Sequence, residues 1–139
     1  MIDVRVQAAD FDSGRQLARL EELGKGAVAS LIAMVEAEDG VSKIVVEQYA
    51  AMAKAELGRI AGDAEARWPL AGIILIHRHG ALAPGDRILF VGVAAADRKA
   101  ATEALSFLSR AMRERAPFWR KEKLPDGAWR WTESLPTEG

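Results

Sequence analysis

The sequence predicts an α+β domain of largely antiparallel strands with about three helices, spanning residues 1–139 as one unit. Three observations predict it. Alternating or uniformly apolar runs of strand length recur at 2–7, 26–35, 43–49, 71–79, 87–94, 118–123 and 128–132. Helical spacing of apolar residues fills three longer stretches, 15–23, 51–67 and 97–115. Turn-forming residues stand between successive strands, so hairpins outnumber the crossovers of a parallel sheet.

In chain order, Ile2, Val4 and Val6 alternate with Asp3, Arg5 and Gln7, the period of a half-buried strand. Asp12-Ser13-Gly14 supplies capping residues for the first helix, where Leu17, Leu20 and Leu23 keep helical spacing and Gly24 and Gly26 end the run. The apolar stretch 26–35 fits a buried strand. Glu38-Asp39-Gly40 is a turn signal, and 43–49 fits the returning strand of a hairpin. The second helix carries Met52, Leu57 and Ile60 as apolar positions. Gly58 and Gly62 lower its propensity, and Pro69 closes it. Ile73-Ile74-Leu75-Ile76 mark the next strand, Pro84-Gly85-Asp86 a turn, and 87–94 another strand. Asp97 caps the third helix, whose apolar face is Ala101, Ala104, Leu105, Leu108 and Met112. Pro117 ends it. Residues 118–123 and 128–132 flank Leu124-Pro125-Asp126-Gly127 as a closing hairpin, and the polar tail after Glu133 has little to hold it.

Composition narrows the function classes. Half of the residues are hydrophobic, enough for a core, and the net charge of −1 supplies no basic field for nucleic acid. The chain has no cysteine, which excludes disulfides, thiolate nucleophiles and thiolate metal sites and fits a reducing cytoplasm. No basic segment followed by an apolar stretch opens the sequence, so no secretory signal is expected. The longest apolar run, 88–96, is far short of a membrane helix, so neither membrane nor nucleic acid is an expected partner.

The richest candidate region is the stretch from Arg113 to Glu122. A helix runs into Pro117, Phe118 and Trp119 follow, and then come the adjacent cations Arg120 and Lys121. Cations beside aromatic surface just past a helix stop suit an anionic planar ligand. Single-stranded nucleic acid uses the same mixture, but alternation on a hairpin can equally put the rings on the core and the cations in water. His77 and His79 stand two apart on a strand and so share a face. A metal site there would need a third ligand, and none stands nearby, so they read as structural or surface histidines. Arg78 faces the other way and invites a carboxylate. Arg98 and Lys99 open the third helix against its dipole, where a phosphate would be held by backbone N–H groups and Arg98. Walker, dinucleotide and G-x-S-x-G motifs are absent.

An ordered set of segments resembles the large subunit of molybdopterin synthase. The set runs from Gly26-Ala27-Val28 through Glu47-Gln48-Tyr49-Ala50-Ala51-Met52-Ala53 and Arg67-Trp68-Pro69 to Ile76-His77-Arg78-His79-Gly80. It continues with Pro84-Gly85-Asp86, Val91-Gly92-Val93 and Arg115-Ala116-Pro117-Phe118-Trp119-Arg120-Lys121-Glu122, and ends at Trp129. The resemblance covers residues 24–131. It implies an α/β hammerhead core, a homodimer within a heterotetramer, and a small ubiquitin-like sulfur-carrier subunit at each end. The carrier brings a C-terminal Gly-Gly thiocarboxylate, cyclic pyranopterin monophosphate receives two sulfurs to form the molybdopterin dithiolene, and no metal or other cofactor is needed.

Carried over by position, the resemblance assigns substrate binding to Met34, Val35, Glu36, Asp97, Arg98 and Glu122, and catalysis to Arg113, Arg120 and Lys121. Glu36 stands where the family has arginine, Asp97 where it has histidine, and Arg113 and Arg120 where it has lysine. Arg98, Arg120 and Lys121 are expected to hold the anionic substrate, and Arg113 the incoming carrier tail. On strand period Lys121 faces away from Arg120. A second reading follows from the same four replacements: a relative that binds a carrier protein or another anion without transferring sulfur.

Overall fold

Strand β4 (Leu70–Arg78) organises the molecule. Ile73, Ile74, Leu75 and Ile76 are all within 1% of full burial, so both faces of this strand are covered. A continuous apolar run is the signature of such a central position. The computed structural model describes residues 1–24, 26–36, 41–48, 50–116 and 118–132. The elements before β4 are β1 (Ile2–Gln7), α1 (Ser13–Glu21), β2 (Ala27–Met34), β3 (Lys43–Gln48) and α2 (Ala50–Arg67). Those after it are β5 (Gly80–Leu82), β6 (Arg87–Ala95), α3 (Arg98–Arg115), β7 (Phe118–Lys123) and β8 (Trp129–Thr132).

The strands form two four-stranded sheets, ordered β1-β4-β6-β2 and β5-β3-β7-β8. Among the described residues β1 and β4 pair in parallel, whereas β2–β6, β4–β6, β3–β5, β3–β7 and β7–β8 are antiparallel. The α+β class with mostly antiparallel strands and three helices is therefore as the sequence predicts.

Alternation along β4 divides the core. Ile74 and Ile76 join Phe11, Leu20, Phe90 and Ala94 on the side covered by α1. Ile73 and Leu75 join the larger cluster with Leu57 and Ile60 of α2, Ala104 and Leu108 of α3, and Ile44, Val46, Leu82 and Phe118 of the second sheet. His77 continues the second series, so its side chain falls on the face where the two sheets meet. A Cβ at Gly72 would come within 2.4 Å of Leu23, and one at Gly92 within 2.7 Å of Leu20. Glycine at both positions is what lets α1 lie against the sheet.

Helix α3 follows its pattern closely. Asp97 Oδ1 accepts the Ala100 N–H at 2.8 Å, and Ala101, Ala104, Leu108 and Met112 are buried, with Leu105 half-buried. Arg115 ties α3 to α2, donating to Glu56 and Asp63 at 2.9 Å each. On α2, Leu57 and Ile60 are buried as expected, but Met52 is 60% exposed. No helix among the described residues is long and apolar enough to cross a membrane.

Two strand expectations fail, and one strand was not foreseen. Strands β2 and β3 are not a hairpin: they lie in different sheets, β2 beside β6 and β3 between β5 and β7. The deciding force is nonlocal, because Ile44 and Val46 complete the large core only from the second sheet. The proposed turn at 38–40 lies outside the described residues. Nor is β2 a buried strand. It forms the sheet edge, with Leu31 and Met34 at 39% and 49% exposure. Finally, β5 has no counterpart in the sequence reading, since three residues carry no period.

Candidate active site

Helix α3 delivers Arg113 from its last turn, and β7 delivers Arg120 from a position facing the core. Both line one cleft of about 260 Å³, together with His77 of β4, Met34 of β2 and Ser109 and Met112 of α3. Leu31, Ile88, Leu89 and Phe118 give the cleft apolar walls. Arg120 Nη2 donates to the Glu36 carbonyl at 3.0 Å, which orients the guanidinium against the segment after β2. Two permanently charged forks over apolar walls can hold a carboxylate or phosphate, and guanidinium geometry favours two-point contact with either.

His77 is the third element. Its ring stacks on Phe118 with centroids 3.5 Å apart and 8° between planes, joining the two sheets at the cleft. Nδ1 lies 2.8 Å from the Arg78 carbonyl. A carbonyl oxygen only accepts, so Nδ1 carries the hydrogen and Nε2 keeps its lone pair. Burial pushes the imidazole pKa down to about 4; the bond to the Arg78 carbonyl opposes that shift, and the neighbouring His79 adds to it. The ring is neutral at pH 7.

Of the positions assigned by motif, the cleft brings together Met34, Arg113 and Arg120. Glu36 takes part through its backbone carbonyl rather than its carboxylate. The other assignments do not converge here. Val35 is only 4% exposed and belongs to the core; its N–H donates to the Asp86 carbonyl and its own carbonyl accepts from Gly85. Asp97 and Arg98 start α3, whereas Arg113 ends it. Fifteen residues at 1.5 Å rise put about 22 Å between them, more than one small cleft of a single chain spans. Lys121 points to the opposite face, with Nζ 3.7 Å from Glu47 and 5.1 and 5.5 Å from the rings of Trp129 and Trp131. Glu122 is buried and accepts from Arg130 at 2.9 Å.

In the β7–β8 hairpin only part of the aromatic surface covers the core, through the buried Phe118. Trp119, Trp129 and Trp131 are 42%, 44% and 59% exposed, so these rings do not cover the core. Arg78 finds its carboxylate in Asp10 at 3.7 Å and donates to the Ala8 and Arg87 carbonyls. The residue that sequence reasoning undervalued is His77. Its signal was a lone polar ring at the end of an apolar run, which reads equally well as a satisfied core residue.

This α+β chain sets two guanidinium groups and a neutral imidazole around one apolar cleft, an arrangement suited to a small anion. Comparison with known proteins specifies the family. The sequence model of the MoaE protein family matches residues 6–115. The molybdopterin synthase catalytic subunit of Mesorhizobium japonicum is 44% identical over 139 residues, covering 97% of this chain and 87% of its own. That of Pseudomonas aeruginosa is 42% identical over 135 residues, covering 94% and 89%. The solved molybdopterin biosynthesis MoaE protein from Burkholderia ambifaria superposes with a TM-score of 0.85 at 34% identity, over 99% of this chain and 93% of that one. The chain belongs to the MoaE family, and the resemblance carried by its ordered motifs is thereby confirmed.

Proposed function

We propose that this chain is the catalytic subunit of a molybdopterin synthase, transferring sulfur from a thiocarboxylated small carrier subunit to cyclic pyranopterin monophosphate. The observation that carries this reading is the convergence of Arg113 and Arg120 on one cleft in a chain of this family. The substrate phosphate and the carrier's thiocarboxylate are both anions, and fixed cations in a partly dehydrated cleft stabilise them without reorganising. Arg120, oriented by the Glu36 carbonyl, holds the substrate. Arg113 lies beside the incoming carrier tail. Both stay protonated, so they act by charge and hydrogen bonding, not by carrying protons. The flexible Met34 side chain shapes the apolar side of the same cleft. The assembly is two copies of this chain with a carrier on each.

Reconstitution tests the reading: purified chain, thiocarboxylated carrier and cyclic pyranopterin monophosphate, with dithiolene product quantified. Turnover well above a control without the chain is expected. A carrier complex that forms no product would instead identify a relative that binds without transferring sulfur.

A further inference from the structure

We propose that His77 exchanges the protons of sulfur transfer, acting through Nε2 on the bound reactants; this rests on the sulfur-transfer reading above. Sulfur leaves a thiocarboxylate only when its acyl C–S bond breaks. The step begins with the thioester in which that sulfur already joins the carrier's acyl group to the acceptor, and water supplies the replacing oxygen. The new C–O bond forms, the C–S bond breaks, and its electron pair stays on sulfur. One water proton must be taken up as the attack proceeds and returned to the departing thiolate. Thioester and water thus become carboxylic acid and thiol, with no oxidant or reductant involved.

Among the described residues lining the cleft, one side chain is suited to that proton. Arg113 and Arg120 have no lone pair to offer, and the Ser109 hydroxyl is a weak base at neutral pH. His77 is neutral, and the Arg78 carbonyl fixes its tautomer. Nε2 has no protein hydrogen-bond partner among the described residues. The Phe118 stack fixes the plane of the ring. A base used in catalysis needs both a set tautomer and a set orientation.

The charge around the ring explains how so weak a base becomes effective. Among the described residues lining the cleft, Arg113 from α3 and Arg120 from β7 are the charged groups, and His79 stands just past the end of β4. The neighbouring elements present apolar residues: Val6 of β1, Leu89 of β6, Met34 of β2 and Val46 of β3. No carboxylate of those elements lines the cleft. In the empty protein burial and the neighbouring His79 therefore oppose protonation of the ring. An anionic phosphate and a thiocarboxylate reverse that local balance, so binding raises the basicity of His77 when a proton has to move.

The test is the pH profile of the reconstituted reaction in wild type, His77→Gln and His77→Phe. Gln cannot be protonated, and Phe keeps a flat ring against Phe118. In both folded variants kcat is expected to fall roughly 100-fold while KM changes less than about twofold, and the acid limb of the wild-type kcat profile is expected to disappear. A folded variant that keeps the wild-type kcat and acid limb overturns the proposal and leaves the sulfur-transfer reading standing. A wild type that makes no product overturns both. Nitrogen NMR on the wild type provides a readout that needs no variant. Nε2 is expected to be unprotonated in the free protein, with its titration moving to higher pH when inorganic phosphate is added. A protonated Nε2, or a titration that phosphate leaves unmoved, also overturns it.

Discussion

The two faces of β7 carry similar chemistry and use it differently. Phe118, Arg120 and Glu122 form the inner face, and Trp119, Lys121 and Lys123 the outer one. Each side has aromatic surface and a cation. On the inner side Phe118 is 4% exposed and holds His77, while a backbone carbonyl aims Arg120 into the cleft. On the outer side Lys121 is shared between Glu47 and two exposed indoles. The lesson is that strand parity, more than residue type, decides which cation meets a ligand. A single-residue slip of β7 would exchange the two roles.

The sharpest way to break the comparison is truncation of the paired rings. Phe118→Ala is expected to cost about 3–5 kcal/mol of unfolding free energy, because it empties a buried site and unseats His77. Trp131→Ala, on the outer face, should cost less than about 1 kcal/mol. Denaturant titration of the two variants measures the gap, and equal losses would show that both faces are core.

The next effect is on pH. The folded-state pKa of His77 is about 4, below the ordinary 6.5. The unfolded chain therefore binds the proton more readily, so His77 favours folding fully above pH 6.5 and that contribution is lost as pH falls toward 4. The shift corresponds to about 3 kcal/mol. His77→Phe should flatten the stability curve across that window. Asp3, Asp10 and Glu56 have lowered pKa values, and their contributions are lost at more acidic pH.

Activity then separates the two cations. Arg120→Ala should lower kcat/KM about 10- to 100-fold, the scale of losing hydrogen bonds to a charged group. Lys121→Ala should change it less than about twofold in the same product assay. The smallest effect concerns α3: Asp97→Ala removes a helix cap and should lower stability by about 1 kcal/mol in thermal unfolding.

The sequence made local features legible and left long-range ones hidden. Helix α3 could be read because its cap, its Ala and Leu spacing and the proline that follows it all lie within one short stretch, 97–117. Arg113 and Arg120 could be placed near one site because they flank that stop, and the outward orientation of Lys121 followed from the strand period. The partners of β2 could not be read, because turn chemistry between two strands does not say which sheet either joins. The separation of Asp97 and Arg98 from Arg113 was implicit in helix length, but motif matching treats the three as neighbours. The burial of Val35 depends on its bonds to the turn at Asp86, which no local pattern announces.

The stack of His77 on Phe118 has a mechanical consequence. It sits where a strand of one sheet touches a strand of the other, so sliding the sheets apart would displace a wall of the cleft. Occupancy and sheet packing are then one equilibrium seen from two ends. A ligand at 100 times its Kd would add about 2.7 kcal/mol to folding. A simple melting curve in rising phosphate would thus report how firmly the two halves of the molecule are clasped.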